Sequence, residues 1–198
     1  MRDSDLSSRA NDDEWSREAL GRRFPIYLAE YDPCWPQLYE AEADSLREQF
    51  GKLIVRTEHI GSTAVPGLAA KPTIDILVEI TSFEDAERHI RPTLESQAIG
   101  YGWMENPPPG HMAFWKGYIV ETPIKYHYHM APSGHPLMDR VHFRDYLRKY
   151  PETAQEYERL KYRLAEIYRN DREAYTDAKT DFIVEITERA KKEFSRST

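Results

Sequence analysis

The sequence has no second cysteine: Cys34 is the one cysteine among its 198 residues, which excludes an intramolecular disulfide bond. A chain of this length buries enough surface to fold without such a bond. It also lacks an apolar run long enough to cross a bilayer, and its polar residues 1–23 have no apolar core of the signal-peptide kind. These absences predict a cytoplasmic protein with no membrane partner.

Positive charge is not in excess either, because 34 acidic residues against 27 basic ones give a formal net charge of −7. Broad binding to a nucleic-acid backbone is favoured by basic surfaces, so a nucleic-acid partner is not expected. A small nucleotide in a local basic pocket is still compatible with this balance. The sequence leaves the oligomeric state open.

The order of apolar patterns and turn residues predicts a flexible tail over residues 1–23, with a short helix near Trp15, followed by one domain over residues 24–194. The predicted strands are 26–28, 53–60, 74–80, 113–120 and 126–131. The predicted helices are 35–50, 83–96, 137–150, 151–168 and 171–193, the last with a capping box formed by Asn170 and Glu173. This order predicts an α+β fold: a mixed sheet with helices on one face and a C-terminal helical block that closes a cleft.

The turn after the second predicted strand contains Gly61 and Ser62, which offer backbone N–H groups and a hydroxyl to a phosphate. Lys71 supplies a cation in the same loop, and Asp75 begins the next strand. A carboxylate in a buried strand is costly unless it is paired or binds a metal. The alternative is that Asp75 accepts backbone N–H bonds and caps the loop.

Residues 58–77, with the sequence EHIGSTAVPGLAAKPTIDIL, resemble the signature of GrpB-like proteins. The resemblance covers residues 25–190 approximately and leaves the tail outside. It implies a nucleotidyltransferase fold, and some members of the family are fused to dephospho-CoA kinase. Further matching residues are Tyr31, Asp32, Pro33, Trp35, His127, His129, the run at 143–148, Tyr175, Lys179 and Phe182.

The sequence departs from the usual nucleotidyltransferase strand, which carries two carboxylates at positions i and i+2. Side chains at that spacing share one face of a strand and can bind the same metal ions. Here the second position is Leu77, and the next acid on that face is Glu79, about 13 Å from Asp75 along the strand. Because paired catalytic metals lie only about 4 Å apart, Glu79 does not replace the missing ligand.

Two histidines, His127 and His129, flank one residue of a predicted strand and therefore project from the same face. Imidazoles at this spacing can chelate a divalent metal (Zn²⁺, Mn²⁺ or Mg²⁺), donate to phosphate, or act as general acid and base. They can also simply face solvent. If the sheet brings them beside Asp75, that carboxylate is a third ligand, and His59 is a candidate fourth.

Basic residues recur in the C-terminal helices. Lys179 and Lys161 each fall inside an apolar helical stripe, where a lysine either extends to solvent or meets an anion. Arg140, Arg144 and Arg148, spaced by four, line a flank that usually faces solvent but can also bind phosphates. The predicted phosphate or nucleotide ligands are Gly61, Ser62, Thr63, Lys71, Arg144 and Lys179.

These residues predict a metal-dependent nucleotidyltransferase, or a related phosphoryl-handling enzyme, that acts on a nucleotide or other small phosphorylated molecule and an unknown acceptor. Asp75, His127 and His129 are its predicted catalytic and metal-binding residues. Leu77 favours a different class, a non-catalytic nucleotide- or metabolite-binding module. A histidine-based zinc hydrolase is a third hypothesis.

Overall fold

Five strands in the described residues form one mixed sheet: β1 (Ile54–Ile60), β2 (Thr73–Ile80), β3 (Gly102–Trp103), β4 (Met112–Lys116) and β5 (Lys125–Pro132). The computed structural model describes residues 17–96, 102–103, 109–118 and 121–195. The strand order is β1-β2-β5-β4-β3. β2 and β5 pair in parallel, and the other neighbours are antiparallel.

The helices flank this sheet and extend beyond it. They are α1 (Arg17–Arg23), α2 (Trp35–Phe50), α3 (Phe83–Glu95), α4 (Arg140–Lys149), α5 (Pro151–Ile167), α6 (Arg172–Asp177) and α7 (Thr180–Phe194). No helix among the described residues is both long and apolar enough to cross a membrane.

The first face of the sheet carries the main hydrophobic core. Alternate residues of β2, namely Ile74, Ile76, Val78 and Ile80, point to this face because successive side chains of a strand alternate. They pack with the apolar residues of α2 and α3 in one buried cluster. Every second residue of β2 is therefore committed to packing, and Asp75, Leu77 and Glu79 lie on the opposite face.

The second face is covered by the start of the C-terminal helical block. Leu77 packs there with Ile60, Ala131 and Leu137 in a small apolar cluster. The block has its own core, which contains Val65, Leu68, Phe143, Leu147, Ala154, Tyr157 and Ile186. The predicted α+β arrangement, with a helical block over the sheet, is thus confirmed.

Several predicted elements are confirmed and others need correction. Helix 35–50 is α2, and the strands predicted at 53–60, 74–80 and 126–131 are β1, β2 and β5 with ends within one residue. Residues 26–28 form no strand, because the only pairing nearby is an isolated bridge between Ala29 and Ala70. The strand predicted at 113–120 ends at Lys116, where Gly117 with φ 94° turns the chain, and residues 119–120 lie outside the described residues.

The helical predictions fail mainly at their ends. The predicted helix 171–193 is split into α6 and α7, with Lys179 in the break as the N-cap of α7. The predicted capping box of Asn170 was wrong, because the Asp171 side chain caps α6 by accepting a hydrogen bond from the Ala174 N–H. The helix predicted from residue 137 begins with a 3₁₀ turn at Pro136–Asp139.

Part of the predicted tail is helical. Helix α1 lies within it and packs closely on the domain, since a Cβ added to Gly21 would meet the Asn170 carbonyl oxygen at 1.8 Å. Residues 1–16, including Trp15, lie outside the described residues.

The loop between β1 and β2 is fixed at several points. Glu158 of α5 accepts the Ala69 N–H at 2.7 Å, and the Lys161 amine of α5 donates to the Ala69 carbonyl oxygen. The next residue, Ala70, pairs with Ala29. Both backbone polar groups of Ala69 are therefore held by one helix, and this fixes the path of the chain into Lys71.

Asp171 supplies a prediction about stability. Asp171→Ala should lower the free energy of unfolding by about 1 kcal/mol, because one N–H at the start of α6 loses its acceptor. Asn170→Ala, at the adjacent exposed position, should change it by less than about 0.5 kcal/mol. Urea denaturation of both variants checks this, and equal losses would contradict the assignment of the cap.

Two glycines with positive φ form a matched pair for a second prediction. Gly61 (φ 73°) and Gly67 (φ 79°) both adopt a backbone that disfavours side chains, but only at Gly61 does an added Cβ meet a neighbour, Asp75 Oδ2 at 2.3 Å. Gly67→Ala should cost roughly 1 kcal/mol of unfolding free energy. Gly61→Ala should cost about 1–3 kcal/mol more, because Asp75 must move.

Denaturation curves measured on the two alanine variants side by side test this difference. Similar losses in both would mean that the approach of Gly61 to Asp75 contributes nothing beyond the backbone angle.

Candidate metal and anion site

The parallel pairing of β2 and β5 brings three potential metal ligands together. Asp75 lies opposite His127, and Leu77 lies opposite His129, so the carboxylate and both imidazoles share the second face of the sheet. His127 Nδ1 is 3.3 Å and His129 Nε2 is 4.0 Å from Asp75 Oδ1. The three ligand atoms all lie within 4.8 Å of one another, and this is the one such group of three in the described ranges.

This donor set fits a transition metal better than Mg²⁺. A tetrahedral centre with bonds of about 2.0–2.2 Å places its ligand atoms about 3.4 Å apart, so small side-chain movements would close the group around an ion. Two imidazoles and one carboxylate suit Zn²⁺ and related metals, whereas Mg²⁺ prefers oxygen ligands. Three protein ligands also leave a coordination position for water or substrate.

Leu77 occupies the strand position at which a nucleotidyltransferase usually carries its second carboxylate, and its side chain is buried. Leu77 is 1% exposed and packs with Ile60 and Ala131. Glu79, two residues further on, is engaged by Arg56 Nε at 2.5 Å and by the Ser133 hydroxyl. Glu79 is thus held by its own partners and does not supply the ligand that Leu77 lacks.

His59 is not brought into this group. Ile60, and not His59, lies opposite Asp75, so His59 projects from the other face of the sheet. Its ring stacks on Tyr39 at 4.9 Å, and its Nε2 lies 3.0 Å from the Thr63 hydroxyl oxygen. Burial lowers the pKa of His59 to about 4. The structure therefore gives this histidine a packing position, in contrast to the predicted role as a fourth ligand.

Asp75 is ionised at neutral pH. Burial alone would raise its pKa, but the hydrogen bond from His127 and the electrostatic interactions with His127, His129 and Lys71 lower the pKa of Asp75 to about 2. Its side chain is 26% exposed, so solvent reaches it. No backbone N–H within the described residues bonds to this carboxylate, and the loop-capping alternative finds no support.

Lys71 and Lys179 converge beside Asp75 although they are far apart in sequence. Their amines lie over the ring of Tyr175, at 5.4 Å and 3.9 Å from its centroid. Neither amine has a hydrogen bond or an ion pair with the described residues, and Lys179 is 8% exposed. Burial lowers the pKa of Lys71 to about 8 and that of Lys179 to about 7. Two amines without an acceptor beside one carboxylate make an environment suited to an added anion.

Arg144 and Thr63 have partners elsewhere. Arg144 donates to Glu58 and Asp145, both at 2.7 Å, and to the His59 carbonyl oxygen at 2.9 Å. It therefore ties α4 to β1 instead of joining the lysines. The Thr63 hydroxyl donates to the Thr73 carbonyl oxygen at 3.0 Å and so holds the loop together. The structure does not bring either residue together with Lys71 and Lys179.

The other predicted phosphate ligands lie closer to Asp75. Gly61 passes against the Asp75 carboxylate, so that a Cβ there would meet Asp75 Oδ2 at 2.3 Å. The Ser62 side chain lies beside the Tyr157 hydroxyl. The loop therefore presents Gly61 and Ser62 on the same side as the metal-ligand candidates.

Two residues that contact the candidate ligand histidines, Tyr118 and His111, were not predicted from the sequence, and neither was Arg172, which contacts Tyr118. The Tyr118 hydroxyl oxygen is 2.9 Å from His127 Nε2, and Arg172 donates to the same oxygen at 2.9 Å. His111 Nε2 is 3.4 Å from His129 Nδ1. Nothing in the sequence marks these residues, because their role depends on β4 being the neighbour of β5.

Comparison with known proteins identifies the family. The protein-family model described as "GrpB protein" matches residues 25–189 of this chain. A UPF0157 protein of Halalkalibacterium halodurans is 37% identical over 197 residues, which cover 96% of this chain and 97% of that relative. A UPF0157 protein of Pseudomonas aeruginosa is 39% identical over 172 residues, but the match covers 80% of this chain and only 65% of the relative's length.

A shorter match and a solved structure complete the comparison. A dephospho-CoA kinase of Mycolicibacterium paratuberculosis is 36% identical over 87 residues, covering 42% of this chain and 21% of the kinase. The crystal structure of conserved protein GrpB from Enterococcus faecalis is similar with a TM-score of 0.75 and 33% identity, covering 85% of this chain and 99% of that one. The chain therefore belongs to the GrpB family, as the resemblance in its sequence predicted.

Proposed function

We propose that this chain is a metal-dependent enzyme that transfers a nucleotidyl or related phosphoryl group from a phosphorylated small molecule to an unknown acceptor. One observation carries the proposal: Asp75, His127 and His129 converge beside Lys71 and Lys179, whose amines have no acceptor in the described chain. A cation site and an anion site that adjoin are the two requirements of phosphoryl transfer, in which positioning and charge neutralisation provide most of the catalysis.

In this proposal each group of residues has a separate role. A divalent metal held by Asp75, His127 and His129 would supply Lewis-acid polarisation of a phosphoryl oxygen. Lys71 and Lys179 bind the negative charge of the phosphates and of the leaving group. Gly61 lets the backbone pass close to Asp75, so that a phosphate can approach the loop. In nucleotidyl transfer the oxygen of the acceptor hydroxyl attacks the α-phosphorus and loses its proton to solvent, and pyrophosphate leaves with the bonding electron pair.

The nucleotidyl class is supported by the loop motif of residues 58–77, and a phosphorylated ligand agrees with the partial match to a protein named dephospho-CoA kinase. The chain differs from the usual nucleotidyltransferase at the buried Leu77, because a leucine there removes one of the two carboxylates that normally bind the metal ions. We therefore propose a transition metal, and not Mg²⁺ alone, as the working ion.

A non-catalytic nucleotide- or metabolite-binding module is the second candidate, and Leu77 favours it. Incubation with nucleoside triphosphates and Mn²⁺ or Zn²⁺ separates the two. Release of pyrophosphate that is lost in Asp75→Asn supports the enzyme. Binding of metal and nucleotide without release of pyrophosphate supports the module.

The metal site gives a direct prediction. Asp75→Asn should weaken zinc binding at least roughly 100-fold, because it replaces the one anionic ligand, while the protein stays folded. Glu79→Gln, on the same face of the same strand, should leave zinc binding unchanged. Calorimetric titration of both variants and the wild type with Zn²⁺, Mn²⁺ and Mg²⁺ checks this. Equal, strong Mg²⁺ binding by the wild type and Asp75→Asn would contradict the proposed site.

The lysine pair predicts how anion binding depends on charge and pH. Lys179→Met should weaken binding of inorganic pyrophosphate to the metal-free protein roughly 10- to 100-fold, since a charge-assisted hydrogen bond contributes about 1.5–3 kcal/mol. Lys149→Met, which removes an exposed lysine paired with Glu193, should have no effect.

Binding should also take up protons near pH 8. The pKa values of Lys71 and Lys179 are about 8 and 7, so both amines are partly neutral there, and a bound anion favours their charged form. Their charged neighbours are Asp75, Lys161 and Arg172. Calorimetry in two buffers of different ionisation enthalpy measures the uptake. Proton release on binding would show that the lysines are not the anion ligands.

A further inference from the structure

We propose that Tyr118 and His111 are positioning residues that fix the tautomers of His127 and His129, so that both rings direct a lone pair to the same point beside Asp75. This inference rests on the proposed metal site and deepens it. It concerns residues that neither the loop motif nor the predicted ligand set includes.

The two nitrogens of His127 have different neighbours. Nδ1 faces Asp75 at 3.3 Å, and Nε2 faces the Tyr118 hydroxyl oxygen at 2.9 Å. A neutral imidazole carries one N–H. Without a metal, Nδ1 donates to Asp75. When Nδ1 serves as a metal ligand, the proton must instead be on Nε2, and the Tyr118 oxygen is placed to accept it.

Tyr118 is itself held as an acceptor. Arg172 Nη2 donates to its oxygen at 2.9 Å, while Arg172 Nη1 donates to the Phe24 carbonyl oxygen at 2.9 Å. A phenol oxygen can accept two hydrogen bonds, so it can accept from Arg172 and from His127 together. The guanidinium, which only donates, takes one accepting position of this oxygen and leaves the other for His127.

His129 has the reverse arrangement. Its Nε2 faces Asp75 at 4.0 Å, and its Nδ1 lies 3.4 Å from His111 Nε2. Both rings are buried, with exposures of 8% and 5%. Two imidazole nitrogens at this separation share one proton, so the ligand form of His129 donates from Nδ1 to His111.

The two positioning residues flank one strand. His111 precedes β4 and Tyr118 follows it, while β4 pairs with β5 through Ala113 opposite His129. Histidines that bind metals usually donate their second N–H to a partner, and loss of that partner typically lowers metal affinity 10- to 100-fold. The ends of β4 thus provide what each ligand on β5 requires.

Tyr118→Phe and His111→Phe test the proposal in the full chain. Zinc affinity should fall about 10- to 100-fold in each. Tyr39→Phe is the matched control, because it removes the hydroxyl of another buried tyrosine, one that donates to Thr57, and its zinc affinity should equal that of the wild type. Replacement of His111 by Gln, which retains an accepting oxygen, should restore part of the affinity that Phe loses.

Imidazole ¹⁵N NMR of the zinc-loaded wild type supplies a readout that a purely structural role would not give, and it needs no variant. The proton should be on Nε2 of His127 and on Nδ1 of His129. The opposite assignments, or variants that bind zinc as tightly as the wild type, overturn this inference and leave the metal site standing. A wild type that binds no zinc overturns the metal site and this inference together.

Discussion

The parallel pairing of β2 with β5 is the constraint on which the site depends. It sets Asp75 opposite His127 and Leu77 opposite His129, and it does so through backbone hydrogen bonds that do not depend on these side chains. The large apolar cluster on the other face of both strands fixes this register, because a slip of one residue would expose Ile74, Ile76 and Tyr128. The polar residues of the site are therefore held in place by hydrophobic packing on the reverse side of the sheet.

Two lysine amines add positive charge beside the carboxylate of Asp75. Lys71 enters beside Asp75 because α5 holds both backbone groups of Ala69, and Lys179 enters because the chain breaks between α6 and α7. The ring of Tyr175 underlies both amines and replaces the carboxylate that buried lysines usually require. The result is a pair of cations that is only partly satisfied by the protein itself.

Sequence patterns sufficed where the signal is local. The helical period of residues 35–50, the β-branched run of β2 and the spacing of His127 and His129 each predicted what the structure contains. The prediction for His59 failed because the face of the sheet on which His59 lies depends on which residue of β1 is paired with Asp75. That pairing is a property of two strands together and cannot be read from one of them.

Partners distant in sequence were beyond any local pattern. Arg144 is held by Glu58, 86 residues away, and this pair could not be inferred from the spacing of arginines on α4. Likewise, His111 and Tyr118 gain their contacts from the neighbour relation of β4 and β5. The break before Lys179 was missed because the apolar period continues through it.

The two hydrogen bonds between α5 and Ala69 show that different parts of the chain position different parts of the site. Asp75, His127 and His129 all lie on the sheet, whereas the placement of Lys71 relies on Glu158 and Lys161, and Lys179 lies further along the chain. The proposed metal ligands are thus encoded before residue 133, and the proposed anion site is completed after residue 157. Substitutions in the second half can therefore change the two amines while leaving Asp75, His127 and His129 untouched.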